Sequence, residues 1–378
     1  MRVIMTCGGT GGHINPAIAI ANTIKERCPD AEILFVGTKK GQEGKLVPHE
    51  GYEIRFVKSE GIRRSLSPAN IKAVIMSQIS PFLAKKIIKE FRPDVVIGTG
   101  GYACWPILKA AAMMKVPCAV HESNAIPGMA VKMLQKSVDK IFTNFERTAD
   151  FLSVKDKIEQ VGNPLRTAFE GIDKKSARAQ LGIDDDKFFV LSYGGSGGAE
   201  YLNETLVEIM AKYLDGRKDI KLLHATGSRN YAESLERYKS LGADKAENGE
   251  LVEYIYDMHT KMAAADLVIC RAGAMTISEL SMMKKAAIII PSPNVVDNHQ
   301  YKNAKVLADA NATLLVEEKF VTPESLWKSI TELVDNEGQR REYEKNIAVF
   351  AKDDVNGVIY DKIVKLIDEK KKKYMEML

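Results

Sequence analysis

Two six-residue segments of this chain have the composition of an anion-binding turn. They are Gly8-Gly9-Thr10-Gly11-Gly12-His13 and Gly194-Gly195-Ser196-Gly197-Gly198-Ala199. Each follows a short apolar run (2–7 and 188–193) and precedes apolar residues at helical spacing: Ala17, Ile20, Ala21 and Ile24 in one case, Leu202, Leu206 and Ile209 in the other. Glycines let a backbone approach a ligand closely, and the first N–H groups of a helix, with its dipole, favour negative charge. One such turn could be no more than a tight connection, but two in matching positions point to a phosphate-bearing ligand. The first turn is not a dinucleotide fingerprint, because Ile14 stands where the third glycine of GxGxxG belongs. The run 33–36 also ends in Gly37-Thr38 without a ribose-binding acid.

His13 closes the first turn, where a histidine serves as a base or as a hydrogen-bond donor to phosphate. A third glycine turn, Gly98-Thr99-Gly100-Gly101-Tyr102, follows the run 94–97, and Val120-His121-Glu122-Ser123-Asn124 ends another run in four polar residues. At the carboxyl edge of an open α/β sheet these form either a polar rim or, with His13 beside them, a pocket wall. Further on, Glu279 lies one or two helical turns beyond the segment Arg271-Ala272-Gly273-Ala274. It reads as a surface carboxylate or as an acceptor for two vicinal ribose hydroxyls. Asp297-Asn298-His299-Gln300 suits the neutral hydroxyls of a hexose. Asp184-Asp185-Asp186 has the form of an acid-x-acid metal signature, but it precedes a strand instead of ending one and reads as a solvated turn.

Positioning these residues requires strands that end at a common edge. Strand-like runs recur at 33–36, 94–97, 118–120, 140–145, 221–224, 267–270, 287–290 and 313–316, with helical patterns between most of them. That alternation predicts an α/β protein with doubly wound parallel sheets. At 378 residues the chain exceeds one ordinary core, and Gly162-Asn163-Pro164 interrupts the pattern between two domains. The charge balance, 54 basic against 50 acidic side chains, gives no field that would draw nucleic acid. Five scattered cysteines suit reduced thiols better than a disulfide framework or a zinc site. No signal peptide or spanning segment is expected, and the lysines at 370–373 read as a solvated helix end.

Taken in order, GGTGGH, GGY, HESN, GNPLR, GGSGGA, CRAGAMT and DNHQ resemble the MurG family of bacterial N-acetylglucosaminyltransferases over nearly the whole chain. The resemblance implies the GT-B fold, two doubly wound domains facing a cleft. Residues 1–163 would form the acceptor and membrane domain, 164–348 the UDP-GlcNAc domain, and 349–378 a helical tail returning to the first. It implies an inverting transfer of GlcNAc from UDP-GlcNAc to the muramyl sugar of lipid I, giving lipid II by a β1,4 linkage, with no cofactor and no obligatory metal. Donor residues would be Ser196 and Arg166 at the diphosphate, Ile255 and Met258 at uracil, Glu279 at ribose, and Ala274, Met275, Thr276, His299, Gln300 and Asn303 towards the hexose. Thr10, Gly11, Gly12, His13 and Asn124 would complete the site over the sugar and acceptor, with Gly100, Gly101 and Tyr102 as acceptor loops. His13 or Glu122 would be the base.

The resemblance also implies a peripheral position on the cytoplasmic face of the bacterial inner membrane, with cell-wall synthesis proteins as further partners. Ile71, Ile75, Ile79 and Phe82 recur at roughly helical spacing beside Lys72, Lys85 and Lys86. They form either an ordinary packed helix or an interfacial patch on anionic lipid, and Ile75, Ile79, Phe82 and the three lysines are the expected contacts. Gly197, Arg64 and Lys284-Lys285 depart from the family pattern. An epimerase acting on UDP-GlcNAc and a nucleotide-sugar sensor are the rival readings.

Overall fold

A computed structural model describes residues 1–59, 68–169, 171–195, 197–295 and 298–376, with backbone alone at 68–72. The chain divides into two compact units, Met1–Arg166 with Lys352–Leu378, and Thr167–Ala351. The sequence reading placed the breaks after 163 and 348.

The first unit holds a parallel sheet of β1 (Arg2–Thr6), β2 (Glu32–Gly37), β3 (Glu53–Phe56), β4 (Val95–Gly98), β5 (Cys118–Glu122), β6 (Lys140–Thr143) and β7 (Ile158–Gln160) in the order β3-β2-β1-β4-β5-β6-β7. Side chains alternate between faces with the strand period of two. Ile4, Leu34, Val96, Val120 and Ile141 pack on one side of the sheet with Ala84, Ile88, Ile107 and Leu108. Val3, Met5, Phe35, Ile97, Ala119 and Phe142 pack on the other with Ile14, Ile18, Ile359 and Ile363. The tail helix Val355–Met375 thus completes this unit's core, and Lys362, Lys370 and Lys371 pair with Glu159, Asp139 and Asp94.

The second unit repeats the scheme with β8 (Phe188–Tyr193), β9 (Ile220–Ala225), β10 (Gly249–Val252), β11 (Leu267–Cys270), β12 (Ala287–Ile289) and β13 (Leu314–Leu315), ordered β10-β9-β8-β11-β12-β13. In each sheet the winding reverses beside the first strand, between β1 and β4 and between β8 and β11, which is where open α/β sheets bind ligands. Both glycine turns follow that first strand. The edge strands β3, β7 and β10 were not expected. Among the described residues no helix is long and apolar enough to cross a membrane, and all five cysteines are free thiols.

Each sheet buries one histidine beneath its carboxyl edge. In β5, His121 Nε2 donates to the Gly162 carbonyl at 2.8 Å. In β9, His224 Nε2 donates to Asn203 Oδ1 at 3.0 Å while Nδ1 lies 3.1 Å from Ser192 Oγ. Burial pushes both rings down from about 6.5 to about 4. Between those values the unfolded chain binds a proton on each ring and the folded chain does not. Stability therefore falls as pH falls through that window, by up to about 1.4 kcal/mol per pH unit for each ring, and these two contributions level off below the folded value. Urea titrations across the window should show that slope, and His224→Gln should flatten it by one ring's share. An unfolding free energy that does not change across the window would show that the rings titrate normally.

Candidate active site

In the first unit the turns after β1 and β4 are pressed backbone to backbone. A Cβ on Gly101, whose φ is +84°, would lie 2.1 Å from the Gly8 carbonyl oxygen, so no other residue fits there. This contact brings His13 onto the neighbouring turn. Its Nδ1 lies 3.1 Å from the Thr99 carbonyl oxygen, and Thr99 Oγ1 donates back to the His13 carbonyl at 2.6 Å. Because a carbonyl only accepts, Nδ1 is the protonated nitrogen in the neutral ring, and Nε2 is then the one with the lone pair. A cavity of about 210 Å³ opens here, lined by His13, Gly100, Gly101, Tyr102 and Glu122, with Trp105 and Met129 on its apolar side.

Glu122, the rival base, has both oxygens engaged. Oε1 accepts from the backbone N–H and side-chain amide of Asn124, each at 3.0 Å, and Oε2 accepts from Gly128 N at 2.8 Å. The carboxylate therefore shapes the loop 123–128 and sets Asn124. A residue outside the expected set organises the other side of the site. Glu43, fully buried, accepts from Gly9 N at 3.0 Å, from Thr38 N at 2.8 Å and from Thr38 Oγ1 at 2.9 Å. The first turn was expected to be an anion site, but the Gly9 amide is committed to this carboxylate. What remains open is the start of the helix Gly11–Arg27, whose N-cap Thr10 makes no side-chain cap bond.

In the second unit, the turn after β8 packs on the turn after β9. A Cβ on Gly198 would lie 2.2 Å from the Thr226 carbonyl oxygen. Asn203 ties the two together, donating to that same carbonyl at 3.0 Å while accepting from His224. The helix Glu200–Lys212 begins from Ala199 without a side-chain cap. Among the described residues no carboxylate accepts from this turn, and the Gly198 amide is taken by the Gly195 carbonyl at 2.9 Å, so it is the start of the helix and its dipole that face an anion, with Glu200 in the first turn. A cavity of about 630 Å³ lies against it, lined by Gly194, Gly197, Gly198, Arg229, Arg271 and Gln300 among others.

The remaining expected donor residues divide into two groups. Glu279 is buried beside Tyr193 and Cys270, in the helix Ala274–Met282 that follows β11, so it is not a surface carboxylate. Ala274 and Met275 are buried at the start of that helix, and Thr276 is half-buried. Gln300 accepts from Ser292 N at 2.9 Å and so holds the loop after β12, beside the half-buried His299. Asn303 is buried and donates to the Ala272 carbonyl at 3.3 Å, and Ile255 belongs to the core with Met258 against it. Asn303 and Ile255 are thus buried while Met258 is half-buried. Arg166 belongs to the first unit, where its guanidinium pairs with Glu50 at 3.0 Å. Ser196, Arg64 and Asp297 lie outside the described residues.

Sequence reasoning also missed Arg271 as a structural clamp. Buried and paired with Glu318, it donates to the carbonyls of Ile290 and Pro291 at 3.0 and 3.2 Å, fixing the loop that leads to Gln300. Asp184 to Asp186 lie exposed on the turn before β8, at the opposite end of that strand from the glycine turn. Among the described residues no group of three potential ligands is placed to hold a metal ion.

Comparison with known proteins fits this arrangement. Residues 3–143 match the glycosyltransferase family 28 N-terminal domain, and residues 189–357 match its C-terminal domain. A UDP-N-acetylglucosamine--N-acetylmuramyl-(pentapeptide) pyrophosphoryl-undecaprenol N-acetylglucosamine transferase of Acetivibrio thermocellus is 42% identical over 348 residues, 92% of this chain and 93% of that protein. The crystal structure of Acinetobacter baumannii MurG superposes with a TM-score of 0.70 at 27% identity, covering 96% of this chain and 99% of that one. A UDP-GlcNAc 2-epimerase from Neisseria meningitidis, bound to UDP-GlcNAc, shares the fold at a TM-score of 0.63 and 13% identity over 97% of this chain and all of that one. With two parallel-sheet units of the GT-B type and this identity over nearly its whole length, the chain belongs to glycosyltransferase family 28 and, within it, to the MurG family of N-acetylglucosaminyltransferases.

Proposed function

We propose that this chain moves N-acetylglucosamine from UDP-N-acetylglucosamine to the muramyl sugar of lipid I, inverting the anomeric centre and producing lipid II. The observation that carries the reading is the 42% identity over 92% of the chain to a relative named for that transfer. The local geometry supports a mechanism. His13 Nε2 takes the proton of the attacking hydroxyl while Thr99 holds Nδ1–H, and Glu122 acts by setting Asn124. Charge on the departing UDP is met by the second glycine turn and the start of the helix Glu200–Lys212, which makes a metal dispensable. Glu279 accepts the ribose hydroxyls. Arg166, paired with Glu50 through Nη2, is the further phosphate partner that the reading expects.

The direct test is incubation of the purified protein with UDP-GlcNAc and a short-chain lipid I analogue, with and without a chelator. Lipid II should form equally in both. An epimerised sugar or an unchanged donor would overturn the assignment, and activity lost to chelator and restored by magnesium would overturn the metal-free step. In the same assay His13→Ala should lower kcat far more than it raises the donor KM. Glu279→Gln should raise the donor KM, by roughly tenfold or more for one charge-assisted hydrogen-bonding group.

The acceptor's lipid chain calls for a membrane surface, and the helix Pro68–Phe91 supplies the chemistry for one. Its inward face is small, with Ala73, Ser77, Ser80, Pro81 and Ala84 buried, while Ile75 and Phe82 are 54% and 61% exposed together with Val74, Ile79 and Leu83. Lys85 lies over the Phe82 ring at 5.2 Å, and Lys86 is exposed beside it. Of Lys72 only the backbone is described. This face rests on the cytoplasmic leaflet of the cell membrane, with about 1 kcal/mol of attraction per lysine to anionic lipid. Replacing Ile75, Ile79 and Phe82 with Ser should release the protein from anionic vesicles while sparing activity on a water-soluble acceptor. A variant that unfolds, or that still binds vesicles fully, would show that these side chains have another role.

A further inference from the structure

Tyr102 lines the first unit's cavity, and its hydroxyl lies 3.2 Å from Thr38 Oγ1. The Thr38 hydroxyl is also 2.9 Å from Glu43 Oε1, which already accepts from Thr38 N. A carboxylate only accepts, and a threonine hydroxyl has one proton. That proton goes to Glu43, so Thr38 Oγ1 accepts from Tyr102. The chain of donation therefore runs from Tyr102 through Thr38 to Glu43, each bond polarising the next. It leaves the tyrosine oxygen with lone pairs and no spare proton. The same carboxylate holds the Gly9 amide at 3.0 Å, in the turn that carries His13. Space for it is provided by glycines, since a Cβ on Gly37 would stand 2.5 Å from Glu43 Cγ and one on Gly41 would stand 1.8 Å from Oε2.

We propose that Glu43 and Thr38 are positioning residues that fix Tyr102 as a hydrogen-bond acceptor, so that this cavity selects an acceptor sugar presenting an O–H or N–H at that point. The inference rests on the reading that the first unit binds the acceptor. A hydroxyl free to rotate would serve either polarity, whereas one locked in this direction penalises a ligand that presents an oxygen acceptor there.

The test is a double-mutant cycle on Thr38 and Tyr102 in the transferase assay, with Thr38→Ser as the conservative control. Thr38→Val should raise the acceptor KM about fivefold, the effect of one hydrogen bond, with the donor KM within about twofold, and should lower the melting temperature because Glu43 loses a buried donor. Thr38→Ser should restore wild-type kinetics. Once Tyr102→Phe is present, adding Thr38→Val should cost nothing more, because its effect passes through the lost hydroxyl. Additive losses, or a Thr38→Ser variant as impaired as Thr38→Val, would show that Thr38 acts by packing and overturn the proposal. An active wild type with a silent Thr38→Val would overturn the relay alone. A wild type without turnover would overturn the acceptor reading on which the relay rests.

Discussion

Direct backbone contact between neighbouring glycine turns is the constraint on which both units depend. Where neighbouring strands of a sheet end side by side, the chain must place functional groups from separate strands within a few ångströms of one another, and side chains at the contact would hold the turns apart. Gly101 against the Gly8 carbonyl in one unit, and Gly198 against the Thr226 carbonyl in the other, leave no room for a Cβ. The contact brings His13 to Thr99 in the first unit and joins the loops after β8 and β9 through Asn203 in the second. Each arrangement is underlaid by a buried neutral histidine whose ring is held by hydrogen bonds to the loops or strands around it.

On this shared scaffold the two turns carry opposite chemistry. The first is occupied from within by the carboxylate of Glu43, which takes the Gly9 amide and shifts the local field against a second anion. The helix that follows supplies His13, and the groups around the cavity are suited to neutral hydroxyls and an apolar neighbour. At the second turn no carboxylate among the described residues takes an amide of the turn, and Arg229 and Arg271 line the cavity against it together with Glu200 and Glu204. A glycosyl transfer from a nucleotide sugar needs this division, because the leaving diphosphate and the attacking hydroxyl require environments of different polarity.

Much of this was legible in the sequence because it depends on local pattern. The glycine turns and the buried central strands follow from composition and spacing. The strands β3, β7 and β10, by contrast, read Glu-Ile-Arg-Phe, Ile-Glu-Gln and Gly-Glu-Leu-Val, and each is a sheet edge. An edge strand buries little and carries charge, so the apolar signal that marks a central strand is missing. Glu43 and Arg271 were hidden for a different reason. Their partners are largely backbone atoms of other loops, which leave no trace in residue type. The burial of Asn303 and Ile255 likewise depends on the fold around them and is not visible in residue type.

The contrast between the two turns is open to direct observation by amide hydrogen exchange with and without UDP-N-acetylglucosamine. The account predicts that the donor slows exchange in peptides covering Gly194–Ala199 and the start of the following helix, and leaves Gly9 at the rate set by Glu43. Equal protection of both turns, or protection of the first alone, would contradict it.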